Sequence, residues 1–206
     1  MATRRAEIRE TRRHNRDRIV AAAEELVREG PYGALTVDDV MRKAGIGRTI
    51  FYRHFDDLPD LLRQAGREAI DEMFDAQRAL ADARLGDSED VIRAAIEPAV
   101  AVYRRHGPLL RAISEAAASE EQIDQGQEAM RRRFDELVED ALRAMPGVAA
   151  NPPADLAETA RALNLMNESY LREAFGGEPR VSVETAIQTL TEVWFAVIHR
   201  GGNGRV

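Results

Sequence analysis

The chain contains no cysteine, and Lys43 is the only lysine among its 29 basic residues. Without thiols it can form neither disulfides nor thiolate metal sites, which fits a cytoplasmic protein. None of its histidines (His14, His54, His106 and His199) belongs to an H-E-x-x-H or E-x-x-H pairing, and no G-x-x-x-x-G-K-S/T phosphate loop is present. We therefore expect no metal, no cofactor and no enzymatic activity.

Long apolar runs and strand-like alternation are also missing. No run approaches the roughly 20 apolar residues that cross a bilayer, so we expect no membrane partner. The 206 residues are 44% hydrophobic, enough for a substantial core. Their apolar positions recur every three or four residues, which predicts an all-α protein of about nine helices, divided into a small N-terminal domain and a larger C-terminal one.

Charge is unevenly distributed along the chain. The first 55 residues hold 12 Lys and Arg against 8 Asp and Glu, although the whole chain carries a net charge of −7. A net acidic protein binds polyanions poorly, so any basic surface must be local. Much of it is the leading segment RRAEIRETRRHNRDR, which is either a flexible arm that reaches phosphates or a minor groove, or a disordered solubilising tail. No apolar stretch follows these charges, so we do not expect a signal peptide.

The segment TVDDVMRKAGIGRTIFYRHF, residues 36–55, is the most informative part of the chain. Thr36 and Asp39 form a T-x-x-D capping pair, which predicts that a helix begins at Val37. Gly45 supplies the permissive backbone of a tight turn. A basic and aromatic helix of about two turns is then predicted, and this order is typical of a helix-turn-helix DNA reader. A small helical hairpin with a solvated polar face is the alternative.

The second helix of this unit is predicted to run from Arg48 to Phe55. Phe51 and Phe55 should face inward, whereas Ile50 can contact a thymine methyl group. The polar residues on or beside the exposed side are of types that donate to phosphates and base edges; they are Arg48, Thr49, Tyr52, Arg53 and His54.

Further helices are predicted on both sides of this unit. One precedes it and ends near Gly30-Pro31. Those that follow are expected near 58–80, from 88 onward with a kink at Pro98 and a restart at Gly107-Pro108, and then near 120–145, 154–175 and 183–199. Loops are expected at 81–87 and 146–153.

The motifs IVAAAEELV, LTVDDVMRKAGI, FYRHF and LPDLL, within residues 19–62, resemble the N-terminal domain of the TetR family of transcriptional repressors. The resemblance implies a homodimer that binds double-stranded operator DNA and is released by a small-molecule effector. Its parts would be a flexible basic arm (1–14), a DNA-binding domain (15–62), a ligand-binding and dimerisation domain (63–200) and a disordered tail (201–206). The last two helices would pair with their copies across a two-fold axis.

The same resemblance assigns DNA contacts to individual residues. Thr36 and Val37 would touch phosphate at the start of the first helix, and Tyr52 and His54 would contact the DNA backbone. Leu58 stands where a lysine usually reaches a phosphate, which should weaken nonspecific affinity. A helical ligand-binding or protein-interaction module of the same fold without operator binding is therefore the alternative function.

The segment ALNLMNE, residues 162–168, places Asn164 and Asn167 on one helical face among apolar side chains. Buried amides need partners, so these are either the polar handles of an apolar effector pocket or bonded to the dimer partner or a neighbouring backbone. With Trp194, the segment resembles a mycobacterial branch of the family, the repressors of an ethionamide-activating monooxygenase. That resemblance implies a pocket lined by Ile92, Ala95, Ile96, Ala99, Tyr103, Met130, Phe134, Asn164, Asn167, Leu171 and Trp194.

Overall fold

The computed structural model describes residues 2–82 and 86–199, and this part of the chain contains helices and no strand. The tail predicted at 201–206 lies outside it. Nine α-helices are described: α1 (Ala2–Glu29), α2 (Val37–Ala44), α3 (Arg48–Phe51), α4 (Leu58–Asp82), α5 (Glu89–Ala117), α6 (Glu121–Ala144), α7 (Pro146–Ala150), α8 (Leu156–Phe175) and α9 (Val183–Ile198). The all-α prediction of about nine helices is confirmed.

The chain divides into two compact units. The N-terminal unit comprises Met1–Glu68 and Pro108–Asp124, and the C-terminal unit comprises Ala69–Gly107 and Gln125–Val206. Helix α4 passes from the first unit into the second, close to the boundary expected after residue 62. The assignment of 108–124 to the N-terminal unit was not expected from the sequence.

The N-terminal unit has a dense apolar core. Ile19 of α1, Val40 of α2, Phe51 of α3 and Leu61 of α4 are completely buried in one cluster. These positions follow the spacing that the sequence pattern indicates for one face of each helix. The core therefore fixes α3 on its aromatic side.

Residues 108–124 pack against α1 and α4 within the N-terminal unit. Leu109 and Ala112 are buried against Val27 and Leu62. The Arg111 guanidinium donates through Nη2 to the carbonyls of Val27 and of Gly30, the latter at 3.2 Å. These carbonyls lie at the C-terminal end of α1, where a cation is favourable because the last carbonyls of a helix lack intrahelical donors.

Helix α5 runs without interruption through Gly107-Pro108, so the predicted restart there is wrong. The sequence suggested a break because proline lacks an N–H and clashes with the preceding turn. The structure gives Gly107 another role. A Cβ at Gly107 would lie 2.1 Å from the Phe175 carbonyl oxygen, so this glycine permits close packing of α5 on α8.

Other boundaries also differ from the sequence predictions. Residues 2–14, predicted as a flexible arm, belong to α1, and no proline or glycine interrupts them. Helix α3 ends at Phe51 and not at Phe55, and a turn continues to His54. Asp57 then accepts from the Asp60 N–H at 2.7 Å and caps α4. Helix α7 lies within the predicted loop 146–153.

Helices α8 and α9 are the last described helices of the C-terminal unit, and side chains cap the N-terminal end of each. Asp155 accepts from the Glu158 N–H at 3.0 Å, and Ser182 accepts from the Thr185 N–H at 3.0 Å. Such caps satisfy otherwise free donors at a helix start. None of the described helices has the length and apolar character needed to cross a membrane.

Candidate nucleic-acid interface and effector site

The start of α2 is fixed by the predicted capping pair. Thr36 Oγ1 accepts from the Asp39 N–H at 3.2 Å and donates to Asp39 Oδ2 at 2.5 Å. The hydrogen bond from Thr36 is the main cause that lowers the pKa of Asp39 below its usual value. Thr36 is exposed and Val37 is half-buried, so the cap leaves this corner open to solvent.

The turn between α2 and α3 is set by backbone geometry. Gly45 adopts a left-handed conformation with φ of 66°, which an L side chain adopts only with strain. The Ile46 N–H donates to the Met41 carbonyl at 3.3 Å, and Arg18 Nη2 donates to the Ala44 carbonyl at 2.5 Å. Both contacts end α2 at a defined point and fix where α3 begins.

Helix α3 has a buried aromatic face and an exposed polar face. Phe51 is completely buried and Phe55 is 1% exposed, whereas Tyr52 is 52% exposed. Ile50 is half-buried and packs against the core, so only part of its side chain remains for a base contact. The predicted DNA-contacting residues that the structure leaves exposed on this segment are Arg48, Thr49, Tyr52 and Arg53.

Arg48 is held by two neighbours that the sequence analysis did not connect with it. Its Nη1 lies 2.9 and 3.0 Å from the two carboxylate oxygens of Asp38, and its Nη2 donates to the Tyr52 hydroxyl at 3.2 Å. The guanidinium carbon lies 5.8 Å from the centre of the Tyr52 ring. All three side chains are exposed, so this group lies on the surface that presents α3.

A second cationic group surrounds His54, which is half-buried at the end of this segment. Burial, followed by the charges of Arg12, Arg16 and Arg53, lowers the pKa of His54 below its usual value. Burial and these charges therefore favour the neutral form of the imidazole. Arg12 and Arg16 belong to α1, so the basic N-terminal segment contributes charge beside the end of α3.

The predicted pocket asparagines bind to different helices. Asn167 Oδ1 accepts from Trp194 Nε1 at 3.0 Å, which joins α8 to α9. Asn164 Nδ2 donates to Asp135 Oδ1 at 2.8 Å, which joins α8 to α6. Both side chains are half-buried. Asp135 was not singled out in the sequence, because its partner comes from a helix 29 residues away in the chain.

The other predicted pocket residues lie on α5, α6 and α8. Ile92, Ile96, Tyr103 and Leu171 are buried, whereas Ala95, Ala99, Met130 and Phe134 are half-buried. Phe134 stacks on Phe74 of α4, with ring centres 3.9 Å apart. The structure thus brings Asn167 and Trp194 into direct contact and adds Phe74 as a partner of Phe134.

An ionic group lies beside Tyr103. Arg131 makes a two-point contact with Glu168 at 3.0 and 3.1 Å, and Arg172 donates to the same carboxylate at 3.1 Å. Burial is the main cause that raises the pKa of Tyr103, and the charge of Glu168 adds to it. The structure thus pairs the Glu168 carboxylate with two arginines, Arg131 and Arg172.

Within the described residues, no group of three or more His, Asp or Glu side chains could hold a metal ion. The chemistry visible on the N-terminal unit is hydrogen-bond donation from a cationic surface. A capped helix, a left-handed glycine turn and a second helix with an exposed cationic face are the features of a helix-turn-helix transcriptional regulator.

Comparison with family models identifies the group of regulators. Residues 92–200 match the C-terminal domain of the transcriptional regulator EthR, and residues 19–65 match the bacterial regulatory proteins of the TetR family. The chain belongs to the TetR family and has an EthR-type C-terminal domain. It is a DNA-binding transcriptional regulator, as the motifs of the sequence predicted.

Individual relatives agree with this assignment. The HTH-type transcriptional regulator EthR of Mycobacterium tuberculosis is 29% identical over 186 residues, which cover 88% of this chain and 85% of the relative. The regulator of the same name from Mycolicibacterium smegmatis is 26% identical over 183 residues, covering 88% and 84%. These relatives are named as regulators and not as enzymes.

Solved structures share the fold. The fatty acid degradation regulator FadR of Bacillus halodurans aligns with a TM-score of 0.73 at 13% identity, covering 93% of this chain and 97% of that one. The TetR family regulator PfmR of Thermus thermophilus aligns with a TM-score of 0.72 at 19% identity, covering 86% and 96%. At these identities the similarity concerns the fold alone.

Proposed function

We propose that the protein is a cytoplasmic, homodimeric repressor without enzymatic activity, which a small and largely apolar effector releases from its operator. The observation that carries this proposal is the two-sided character of α3. Its aromatic side is locked into the core, and its cationic side faces solvent. DNA contacts are assigned to the exposed or half-buried residues of this corner: Thr36, Val37, Arg48, Thr49, Ile50, Tyr52, Arg53 and His54.

A dimer is supported by apolar side chains left exposed on the last two helices. Leu165 on α8 is 45% exposed, and Val183 and Val193 on α9 are 38% and 37% exposed. These three groups lie on the last two helices of the chain and offer apolar area to a partner. A second copy of the chain placed on this surface would bury them and form a four-helix interface. Two-fold symmetry would then present one α3 from each copy to successive major grooves.

The effector site is assigned to the half-buried polar pair in the C-terminal unit. The Asn167 side-chain oxygen is occupied by Trp194, whereas its amide nitrogen makes no hydrogen bond within the described residues. That nitrogen can donate to the carbonyl of an ester, an amide or an acid. Apolar neighbours of such a group provide affinity, while the polar group fixes orientation.

Release from DNA would follow from a shift between conformations. Helix α4 contributes residues to both units, with Leu61 and Leu62 in the N-terminal core and Phe74 stacked on Phe134 in the C-terminal unit. An effector that binds one pose of α4 more tightly shifts the population toward that pose. Repression ends if that pose separates the two recognition helices from adjacent grooves, which lie about 34 to 36 Å apart.

The proposal is tested with the duplex upstream of the protein's own gene. We expect a mobility shift by the full chain, with affinity that falls as salt rises because phosphate contacts release counterions. Esters and amides with apolar substituents are then added to the complex. Release by one of them, lost in Asn167→Ala while operator affinity without effector is unchanged, supports the assigned site. Absence of a salt-dependent shift refutes operator binding.

A further inference from the structure

The contacts of Arg48 with Asp38 and Tyr52 indicate which part of the DNA Arg48 recognises. Arginine on a DNA-facing surface contacts either a phosphate or the O6 and N7 acceptors of guanine. These roles demand different things of the side chain. A phosphate is attracted by unpaired positive charge, whereas guanine requires two donors on one side of a well-oriented guanidinium.

The hydrogen bonds of Arg48 leave a defined set of donors. A guanidinium carries five N–H groups. Nη1 contacts both oxygens of the Asp38 carboxylate, and Nη2 donates one N–H to the Tyr52 hydroxyl. Within the described residues, the Nε–H and the second N–H of Nη2 have no acceptor. These two donors match the number that guanine O6 and N7 accept together.

The carboxylate of Asp38 argues against a phosphate as the partner of Arg48. It lies 2.9 Å from Nη1 and reduces the positive charge that a phosphate would meet. A reduced charge matters less at a base edge, because guanine presents neutral acceptors in the major groove.

The geometry points to Arg48 as the guanine-reading residue of this regulator, held in a base-reading orientation by the Asp38 carboxylate and the Tyr52 hydroxyl. Asp38 is thus a positioning residue on α2 that acts through Arg48 on α3. The assignment rests on the proposed placement of α3 in the major groove. It adds to the proposed function the recognised base, guanine, and the residue that contacts it, Arg48.

The test is selection of bound duplexes from a random-sequence library by the full chain, followed by affinity measurements across salt concentrations. We expect the wild type to enrich a palindromic motif with one guanine per half-site that depends on Arg48. In Arg48→Ala that position becomes degenerate, and affinity for the wild-type motif falls about 5- to 150-fold per half-site, the usual discrimination of a two-point arginine contact. Affinity for duplexes without the motif stays the same.

Asp38 variants separate positioning from direct contact. In Asp38→Ala the freed guanidinium should bind phosphate, so the preference for guanine weakens and the salt dependence of log K steepens by about 0.9 for each protomer. Asp38→Asn retains an acceptor for Arg48 and should keep part of the preference. Melting temperatures of all variants are compared with that of the wild type, because these side chains are exposed and folding should be preserved.

The matched control is another exposed ion pair, Arg132 with Glu128 on α6. Arg132 Nη1 lies 3.1 Å from Glu128 Oε1. Arg132→Ala and Glu128→Ala should leave motif and salt slope unchanged. Equal loss of affinity for every sequence in Arg48→Ala, with a shallower slope, would identify a phosphate contact and overturn the assignment. An unchanged motif in Arg48→Ala would overturn it as well. A wild type that enriches no motif would refute operator binding itself.

Discussion

At the scale of single residues, the bond between Asn167 and Trp194 can be tested by a double-mutant cycle. The indole N–H and the amide oxygen are 3.0 Å apart, and Trp194 is 9% exposed. Asn167→Ala and Trp194→Phe each remove one partner of the bond. We expect a coupling free energy of about 1 kcal/mol, typical of an intramolecular hydrogen bond. Urea unfolding at one fixed protein concentration measures it, because dimer stability depends on concentration.

The comparison pair for this cycle is Gln188 with Glu192, an exposed contact on α9 at 2.8 Å. Its coupling should be at most a few tenths of a kcal/mol, since exposed pairs one helical turn apart contribute little. A coupling for Asn167 and Trp194 no larger than that of this exposed pair would show that the buried bond does not stabilise the fold. Asn167 would then be available entirely to an effector.

Residue types in the sequence predicted much of the N-terminal corner but not the partners of its side chains. Thr36 as a cap and Gly45 in a tight turn follow from local spacing, because each depends on neighbours within three residues. The contact of Arg48 with Asp38 joins different helices, and its existence depends on the angle between α2 and α3. Contacts of this kind, like that of Asn164 with Asp135, are set by tertiary packing and leave no local pattern.

At the scale of helices, substitution by alanine should have opposite effects on the stability of the protein at Gly107 and at Gly126. A Cβ at Gly107 would lie 2.1 Å from the Phe175 carbonyl oxygen, which belongs to the backbone and cannot rotate away. Gly107→Ala should therefore destabilise the protein by about 1–3 kcal/mol, the usual cost of overpacking. Urea unfolding midpoints, with the slope checked for constancy, measure the change.

Gly126 lies exposed within α6, and a Cβ there would meet nothing within 4 Å. Gly126→Ala should stabilise the protein by about 0.5–1 kcal/mol, because alanine loses less backbone entropy in a helix. If both substitutions stabilise the protein, α5 does not approach α8 closely at Gly107. The glycine there then serves only the local conformation of the chain.

Helix positions were predictable from periodicity, whereas the ends of helices depended on tertiary contacts. The predicted helix from Val183 agrees with α9, since Ser182 supplies a recognisable cap. The Gly-Pro pair at 107–108 indicates a break when only local propensity is considered. Burial of Leu109 and Ala112 in the N-terminal core and contact of Gly107 with α8 offset the cost of proline and keep α5 continuous.

At the scale of the whole molecule, a division into two units was predictable from length and motifs, but the unit boundaries were not. Residues 108–124 lie far along the chain from α1, yet Arg111 binds carbonyls at its end, and Glu115 Oε2 accepts from the Tyr32 N–H at 2.8 Å. A boundary placed by sequence follows chain order, whereas packing joins segments by shape. The compact N-terminal unit therefore includes residues 108–124 in addition to the segment predicted as the DNA-binding domain, 15–62.

The proposed dimer is tested by placing a charge on its expected surface. Leu165 is 45% exposed on α8, so Leu165→Glu should fold normally as a monomer but desolvate a carboxylate if a second copy covers this position. We expect sedimentation to show a monomer and operator affinity to fall more than tenfold, because one protomer contacts only one half-site. Ala129→Glu adds the same charge to an exposed position of α6 and should remain dimeric. A dimeric Leu165→Glu protein with normal operator affinity would place the two-fold interface away from Leu165.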